Sequence, residues 1–290
     1  MNIQYSDNVT GYISPEISNY KGVRKMSEKK TRTSIKILVA ITFIMMVTVN
    51  ALANILPING ETTGGVSDAY KNLFAPAGIT FAIWGVIYIA LAAYTIYQTE
   101  LFQKNKSNNS VDILEKVGLY FSISSIANSV WIFAWHFHLI PLSMLLMAVI
   151  LGCLIVINQT ITKEKLCGRE KLFIKLPFSI YFGWITVATI ANATTLLVSI
   201  GWDGFGISEP IWTVVIIFVG MFIGIATILR NRNFAYGLVI IWAYAGILIK
   251  HTSESGFANQ YMQVITTVVV CIVLLIIAET YVFSKVRKMN

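Results

Sequence analysis

The amino-acid sequence predicts an all-α, polytopic membrane helix bundle with about eight transmembrane helices. Its 290 residues are 56% hydrophobic and only 12% charged, a composition typical of membrane proteins that excludes an ordinary soluble domain. A helix needs about 20 mostly apolar residues to cross the hydrocarbon core of a bilayer. Eight stretches meet or approach that length, and they are residues 35–55, 77–97, 114–135, 139–161, 172–200, 211–229, 234–249 and 262–283.

The basic residues support the same number of spans, because the cytoplasmic connections of membrane proteins collect Lys and Arg. Of the 22 basic residues, 20 precede the first span, follow the last, or lie near the second, fourth and sixth connections. Only Lys71 and Lys250 fall on the opposite side. We therefore expect a multi-pass protein of the cell membrane with both termini in the cytoplasm. The net charge of +8 then reflects this topology and an anionic lipid surface, and it gives no reason to expect nucleic acid as a partner.

The N-terminal region allows two interpretations. Residues 1–33 are polar and mixed in charge, with nothing from which to build a core, and we expect a flexible cytoplasmic tail. The apolar run that follows contains Ala51-Leu52-Ala53, so the region also imitates a secretory signal with its cleavage site. The run is longer than the hydrophobic region of a usual signal peptide, and its removal would break the alternation of basic and non-basic connections. We therefore expect the segment to be retained as the first span.

The predicted spans lack the groups that several functions require. No Asp, Glu, Lys or Arg lies near the middle of a span, and Glu279 is close to the end of the last one. Proton relays and ion-coupled carriers usually need such a group, which disfavours a carrier of charged cargo but not of a neutral one. No familiar catalytic, nucleotide-binding or metal-binding motif occurs, so we name no catalytic or metal-ligating residue. Gly220 and Gly224 form a G-x-x-x-G motif, which fits either internal packing or a homodimer contact.

Amide and aromatic side chains recur at helical spacing on four of the predicted spans. The topology places them in the outer half of the membrane, where an amide without a partner is costly. We expect them to face one another or a ligand rather than lipid, although the amides could also simply join helices. The candidate site residues are Asn50 and Asn54 on the first span, Trp84 and Tyr88 on the second, Asn128 and Trp131 on the third, and Trp184 and Asn192 on the fifth.

Three further features of the sequence have a functional or a structural interpretation. The connection from residue 57 to residue 76 is turn-rich and long for a compact bundle, which predicts a lid over the site. His136 and His138, at the outer end of the third span, could ligate a haem iron or be ordinary loop histidines. Trp242, in the middle of the seventh span, is not part of a row of amide and aromatic side chains at helical spacing, and it is interpreted as a packing residue.

Three sequence motifs lie on the second, third and fifth predicted helices. They are the run Phe81-Ala-Ile-Trp84-Gly-Val-Ile-Tyr88 after Pro76, the run Asn128-Ser-Val-Trp131, and Trp184 followed eight residues later by Asn192. In this order they resemble the motifs of the tryptophan-rich sensory protein family, also called the TspO/MBR or translocator-protein family. The resemblance covers roughly residues 35–200, five helices in the family's order. One departure is that Pro76 and Gly78 stand where the family has paired prolines followed by a tryptophan.

The resemblance implies a five-helix bundle over residues 34–200, with a hydrophobic ligand cavity beneath the loop between its first two helices. Trp84, Tyr88, Asn128, Trp131, Trp184 and Asn192 would line or support that cavity. Members of the family are associated with porphyrins and other flat apolar ligands, so a porphyrin or haem is the ligand to expect. Residues 201–290 would add three transmembrane helices, about which the resemblance says nothing.

We therefore expect an integral membrane receptor or sensor that binds a planar hydrophobic ligand in an outer-leaflet cavity of the first five helices. A membrane carrier for a neutral or amphipathic small molecule is the alternative, with the three additional helices completing its path. A porphyrin-modifying enzyme is the third hypothesis, and it would need reactive groups beyond the tryptophans.

Overall fold

The computed structural model describes residues 15–56, 58–99 and 108–289, and this part of the chain is helical without a β-strand. Its helices are α1 (Pro15–Ile55), α2 (Thr63–Ala69), α3 (Ile83–Gln98), α4 (Asn108–His136), α5 (Ile140–Thr162), α6 (Gly168–Glu170), α7 (Leu176–Ser199), α8 (Glu209–Asn231), α9 (Phe234–Thr252) and α10 (Met262–Met289). α2 and α6 are short. The other eight form the spans that are long and apolar enough to cross a membrane, which confirms the predicted eight-span, all-α bundle.

α1 begins at Pro15, inside the segment for which the sequence predicted a flexible tail. Residues 15–33 are helical because Lys, Glu, Arg and Met are good helix formers and because extending an existing helix costs little. Residues 1–14 of the predicted tail lie outside the described residues, as does Pro57 in the first connection. The part of the predicted tail that the structure describes is thus a continuation of the first membrane helix.

Proline residues mark the first turn of three helices. Pro141, Pro177 and Pro210 stand within the first two positions of α5, α7 and α8, and at Pro141 and Pro210 the missing N–H leaves no helical hydrogen bond unmade. α7 instead continues from α6 through a π-helical turn (Lys171–Lys175), so Pro177 lies inside a longer helical span that begins at Gly168. α8 ends at Asn231, and the left-handed backbone of the next residue, Arg232 (φ 45°), turns the chain directly into α9. Short connections of this kind place consecutive helices side by side and antiparallel.

α4 and α7 form the centre of the bundle, with 67% and 61% of their spans buried, against 22% for the spans of α1 and α3. α4 packs against α1 and α5, and α7 contacts α3, α5 and α9. α8 and α10 pack mainly within the C-terminal group, whereas α9 packs on both α10 and α7. We call the membrane face with residues 58–82 the loop face, and the opposite face, with residues 163–175 and 230–233, the basic face.

A buried polar cluster near the basic face fastens α9 to α5 and α7. Asn233 Nδ2 donates to Ser179 Oγ at 2.7 Å, and the Asn158 amide next to it donates to backbone carbonyls of α5 and α7. One turn further into the membrane, a Cβ added at Gly183 would lie 2.8 Å from the Tyr236 carbonyl oxygen. The two helices approach so closely there that only glycine fits. The three C-terminal helices are therefore tightly joined to the first five spans.

The G-x-x-x-G motif of α8 packs inside the chain. A Cβ added at Gly220 would lie 2.6 Å from the Tyr244 hydroxyl oxygen of α9, and one at Gly224 would contact Ile240 of α9 and Leu275 of α10 at 3.4 Å. Packing among the three C-terminal helices accounts for both glycines, in agreement with the first of the two sequence interpretations.

The contact at Gly183 allows a matched test of the α7–α9 packing. We expect Gly183→Ala to lower the free energy of unfolding by about 1–3 kcal/mol, because the added methyl group overpacks the contact. Gly152→Ala on α5 is the control, since a Cβ there meets no atom within 4 Å and Ala favours a helix over Gly. Thermal unfolding in one detergent measures both. Equal stability of the two variants would contradict the close approach of α7 and α9.

Candidate functional site

Aromatic side chains of α3 and α7 form one wall of a buried cavity near the loop face. Trp84 stacks on Tyr88 with ring centroids 5.4 Å apart, and it meets Trp184 edge-on at 6.2 Å. Phe81 adds a second edge contact to Trp184 at 5.8 Å. Stacked and T-shaped pairs are favoured because the ring edge is positive and the ring face negative. These contacts hold the Trp184 indole, which is only 2% exposed, in one orientation.

α4 supplies a second wall. Trp131 and Trp135, one turn apart, stack with ring centroids 5.3 Å apart. Trp131 Nε1 donates to Asn192 Oδ1 of α7 at 2.9 Å, and Asn192 Nδ2 donates to Ser143 Oγ of α5 at 3.0 Å. These hydrogen bonds tie α4, α5 and α7 together around the cavity.

The connection between α1 and α3 covers the cavity, in agreement with the lid expected from its length. Thr63, Ser67, Asn72 and Ala75 of this connection are among the residues that line the cavity. Trp135 Nε1 donates to the Thr63 carbonyl at 3.0 Å, which fastens the cover to the α4 wall. The aromatic walls and the connection together line the cavity.

The middle of α9 holds the end of this connection. The Ala77 N–H donates to the Gly246 carbonyl at 2.9 Å, and Trp242 Nε1 donates to the Thr80 carbonyl at 3.0 Å. Thr80 lies so close to α9 that a Cβ added at Gly246 would be 2.9 Å from its Cβ. Trp242 therefore has a bonding role beyond the packing that the sequence suggested, because its indole N–H reaches a backbone carbonyl of the cover.

Three further contacts fasten the connection at the membrane surface. His251 Nε2 of α9 donates to the Leu73 carbonyl at 2.8 Å, and Glu209 Oε1 of α8 accepts from the Leu73 N–H at 3.1 Å. Lys250 Nζ pairs with Asp68 Oδ1 at 2.9 Å. Both α8 and α9 therefore help to keep the cavity covered.

Four of the eight predicted site residues line the cavity. Trp84, Trp131, Trp184 and Asn192 line the cavity itself. Asn128 lies one turn further from the loop face, and it accepts a hydrogen bond from Asn50 Nδ2 at 2.7 Å. That bond joins α1 to α4, so Asn128 acts in helix packing, which is the alternative that the sequence left open. Tyr88 supports the wall through its stacking on Trp84.

Asn54 and the two histidines are not brought to the cavity. Asn54 is exposed, and its side chain donates to the Asn50 carbonyl of its own helix at 2.9 Å. His136 is buried and its Nδ1 donates to the Ile132 carbonyl at 2.8 Å, whereas His138 lies at the surface. Neither histidine lines the cavity. The geometry therefore does not assemble the haem-ligating pair considered from the sequence.

Small and apolar residues complete the lining, and most of them were missed by the sequence analysis. Ala188, Ala191 and Thr195 continue the face of Trp184 along α7, and Met147 comes from α5. The α7 residues could have been found from the sequence, because positions 184, 188, 191 and 195 follow one another at three- and four-residue steps. Met147 has no polar or aromatic neighbour at helical spacing that would single it out.

The cavity is small in this closed arrangement. Its volume is about 50 Å³, whereas pockets for small molecules have volumes of about 300–1,000 Å³. A planar tetrapyrrole therefore requires the covering connection to move. Two polar groups of the lining residues, Trp184 Nε1 and Thr63 Oγ1, are buried without a hydrogen bond. They are the groups with which an incoming ligand could form new hydrogen bonds.

Comparison with known proteins agrees with this architecture. A family model described as TSPO-like protein matches residues 36–281, more than four fifths of the chain. No curated protein and no solved structure matches the chain significantly. The matched region runs through α8 and α9 and most of α10, so the three C-terminal helices are part of what the family model describes. The chain is therefore a multi-pass membrane protein that belongs to the TSPO-like protein family, in its extended eight-span form.

Proposed function

We propose that this protein is a membrane receptor or sensor that binds a planar hydrophobic ligand of the porphyrin type in the cavity between α3, α4 and α7. The observation that carries the proposal is the convergence of four tryptophans, Trp84, Trp131, Trp135 and Trp184, on one covered cavity. Flat indole surfaces with a few placed polar groups suit a flat apolar ligand. Membership of the TSPO-like family supports a binding or sensing role in the membrane.

Trp184 is the residue that we expect to contribute most to recognition. Its ring is fixed by Trp84 and Phe81, so little conformational freedom is lost when a ligand binds. Its Nε1–H has no acceptor in the closed cavity. A carbonyl or carboxylate on the ligand edge would supply that acceptor, and a hydrogen bond to a charged group contributes about 1.5–3 kcal/mol.

The orientation of the protein follows from its charges. We place the basic face and both termini in the cytoplasm of the cell, because 20 of the 22 basic residues were assigned to that side. The loop face is then outside, and the ligand reaches the cavity from the outer leaflet or from the external solution.

A protoporphyrin titration tests the proposed ligand class. We expect the purified chain to shift the Soret band and to show quenched tryptophan fluorescence on binding. Trp184→Phe keeps an aromatic ring but removes the N–H donor, and we expect it to raise the dissociation constant by about 10-fold or more. Trp202→Phe is the matched control, because Trp202 does not line the cavity.

The outcomes of this titration separate the hypotheses. Unchanged spectra of the native chain would reject a porphyrin ligand, and equal losses for Trp184→Phe and Trp202→Phe would reject the site. Accumulation of ligand inside proteoliposomes would instead favour a carrier. Light-dependent loss of the porphyrin with formation of a product would favour an enzyme.

The contact between the covering connection and α9 can be tested separately. We expect Gly246→Ala to lower the apparent dissociation constant about fivefold or more, because the new methyl group displaces Thr80 and populates the open state. Gly78→Ala is the control, since a Cβ there meets nothing within 4 Å. Stopped-flow tryptophan quenching with protoporphyrin measures the association. Equal affinities of both variants and the native chain would show that this contact does not govern entry.

A further inference from the structure

A groove on the lipid-facing surface separates α8 from α5 and α7 in the half of the bundle near the basic face. Its volume is about 380 Å³, within the range of about 300–1,000 Å³ of small-molecule sites and much larger than the aromatic cavity. Residues of α5, α7, α8 and the start of α9 line it. It therefore lies between the first five spans and the C-terminal helices, away from the aromatic cavity described above.

The groove has the depth of one lipid leaflet. It closes near the middle of α8, where a Cβ added at Gly220 would lie 3.3 Å from Ile190 Cδ1 of α7. Arg230, at the other end of the groove, follows ten residues later in the same helix. A helix rises 1.5 Å per residue, so the groove extends for about 15 Å along α8. That is about half of the roughly 30 Å hydrocarbon core of a bilayer.

The lining of the groove suits a hydrocarbon chain. Ile155 of α5 and Ile223 of α8 stand on its walls with 38% and 43% of their surface exposed. The hydroxyls of Thr186 and Thr189 donate to carbonyls of their own helix, so they need no partner in the groove. The Asn158 amide and the Tyr236 hydroxyl also donate hydrogen bonds within the protein, so the inner part of the groove presents mainly apolar surface.

The end of the groove at the basic face is polar and positively charged. Arg230 is exposed there, and Gln159 and Asn231 lie beside it in the lining. Among the described residues, no carboxylate forms an ion pair with Arg230. A basic pocket between membrane helices at the headgroup level favours anionic lipid headgroups, whose phosphate accepts hydrogen bonds from the guanidinium. The charge and the depth of the groove therefore match an anionic lipid of one leaflet.

We propose that this groove binds one anionic phospholipid of the leaflet at the basic face. One acyl chain lies between α5, α7 and α8, and the phosphate lies on Arg230. The lipid fills the gap between the first five spans and α8, so it supports the joint between the two parts of the bundle. This site is independent of the ligand proposed for the aromatic cavity.

Native mass spectrometry of the purified full chain tests this site. The protein is mixed with equal amounts of dioleoyl phosphatidylglycerol and dioleoyl phosphatidylcholine, which differ only in the headgroup. We expect the first bound lipid to be mostly phosphatidylglycerol in the native chain. Arg230→Gln should lower the ratio of the two lipids about fivefold, since one basic residue contributes about that factor in affinity for an anionic surface. Arg169→Gln, which changes an exposed arginine on the same face, is the matched control.

A second pair of variants tests the acyl-chain part of the groove. Ala226 lines the groove and is exposed, so Ala226→Trp fills the space without entering the core. We expect it to remove the first bound lipid of either kind, while Ala148→Trp on the exposed face of α5 leaves that lipid in place. Equal headgroup selectivity of Arg230→Gln and Arg169→Gln would overturn the proposal, as would undiminished lipid binding by Ala226→Trp.

Discussion

The structure depends on one constraint, which is that polar groups inside the hydrocarbon region must find partners within the protein. In the described residues, most buried amides meet this demand by joining helices. Asn50 and Asn128 connect α1 with α4, Asn192 connects α7 with α4 and α5, and Asn233 connects α9 with α7. Each of these bonds also fixes how its helices are rotated about their axes. The aromatic faces that meet at the cavity are aligned by the same bonds.

The same constraint explains how the three C-terminal helices relate to the cavity. The connection between α1 and α3 presents backbone groups close to the membrane, and α8 and α9 supply several of their partners, among them Glu209, Trp242 and Gly246. The sequence resemblance had placed a boundary near residue 200, with nothing to say about the remainder. The contacts cross that boundary in two places, at the covering connection and at the Asn233 cluster. The eight spans therefore act as one body around the cavity.

Much of this organisation could be predicted from the sequence, because hydropathy and basic residues report directly on the membrane. The helical spacing of Trp84, Trp131, Trp184 and Asn192 also identified four lining residues, since polar and aromatic groups in an apolar span are rare enough to stand out. Helical spacing could not distinguish residues that line the cavity from residues that pack between helices, because that difference depends on the distance between two helices. Asn54 shows this limit: it lies one turn from Asn50, but α1 is mostly exposed, so its side chain returns to its own helix.

Apart from the Lys250–Asp68 ion pair, the contacts between the covering connection and α9 could not be predicted from residue types. Three of them use backbone carbonyls or amides, and one needs the absence of a side chain at Gly246. A carbonyl is present at every position, so its partner is known only when the fold is known. The role of Trp242 was missed for this reason. For Trp184 the sequence shows an indole N–H donor, but it cannot show that this donor lacks an acceptor in the folded protein.

Because the cavity is closed, the affinity for the proposed ligand would depend on the covering connection as much as on the tryptophans. A hydrogen bond contributes about 0.5–1.5 kcal/mol and an exposed ion pair less than about 1 kcal/mol. The contacts of the connection with α8 and α9 can therefore hold it closed by a few kcal/mol. At about 4 kcal/mol, roughly one molecule in 1,000 is open, and a ligand with an intrinsic dissociation constant of about 1 nM then has an apparent dissociation constant of about 1 μM. If the cavity binds the proposed ligand, α8 and α9, which contribute no aromatic wall, would through this equilibrium set the ligand concentration at which the cavity fills.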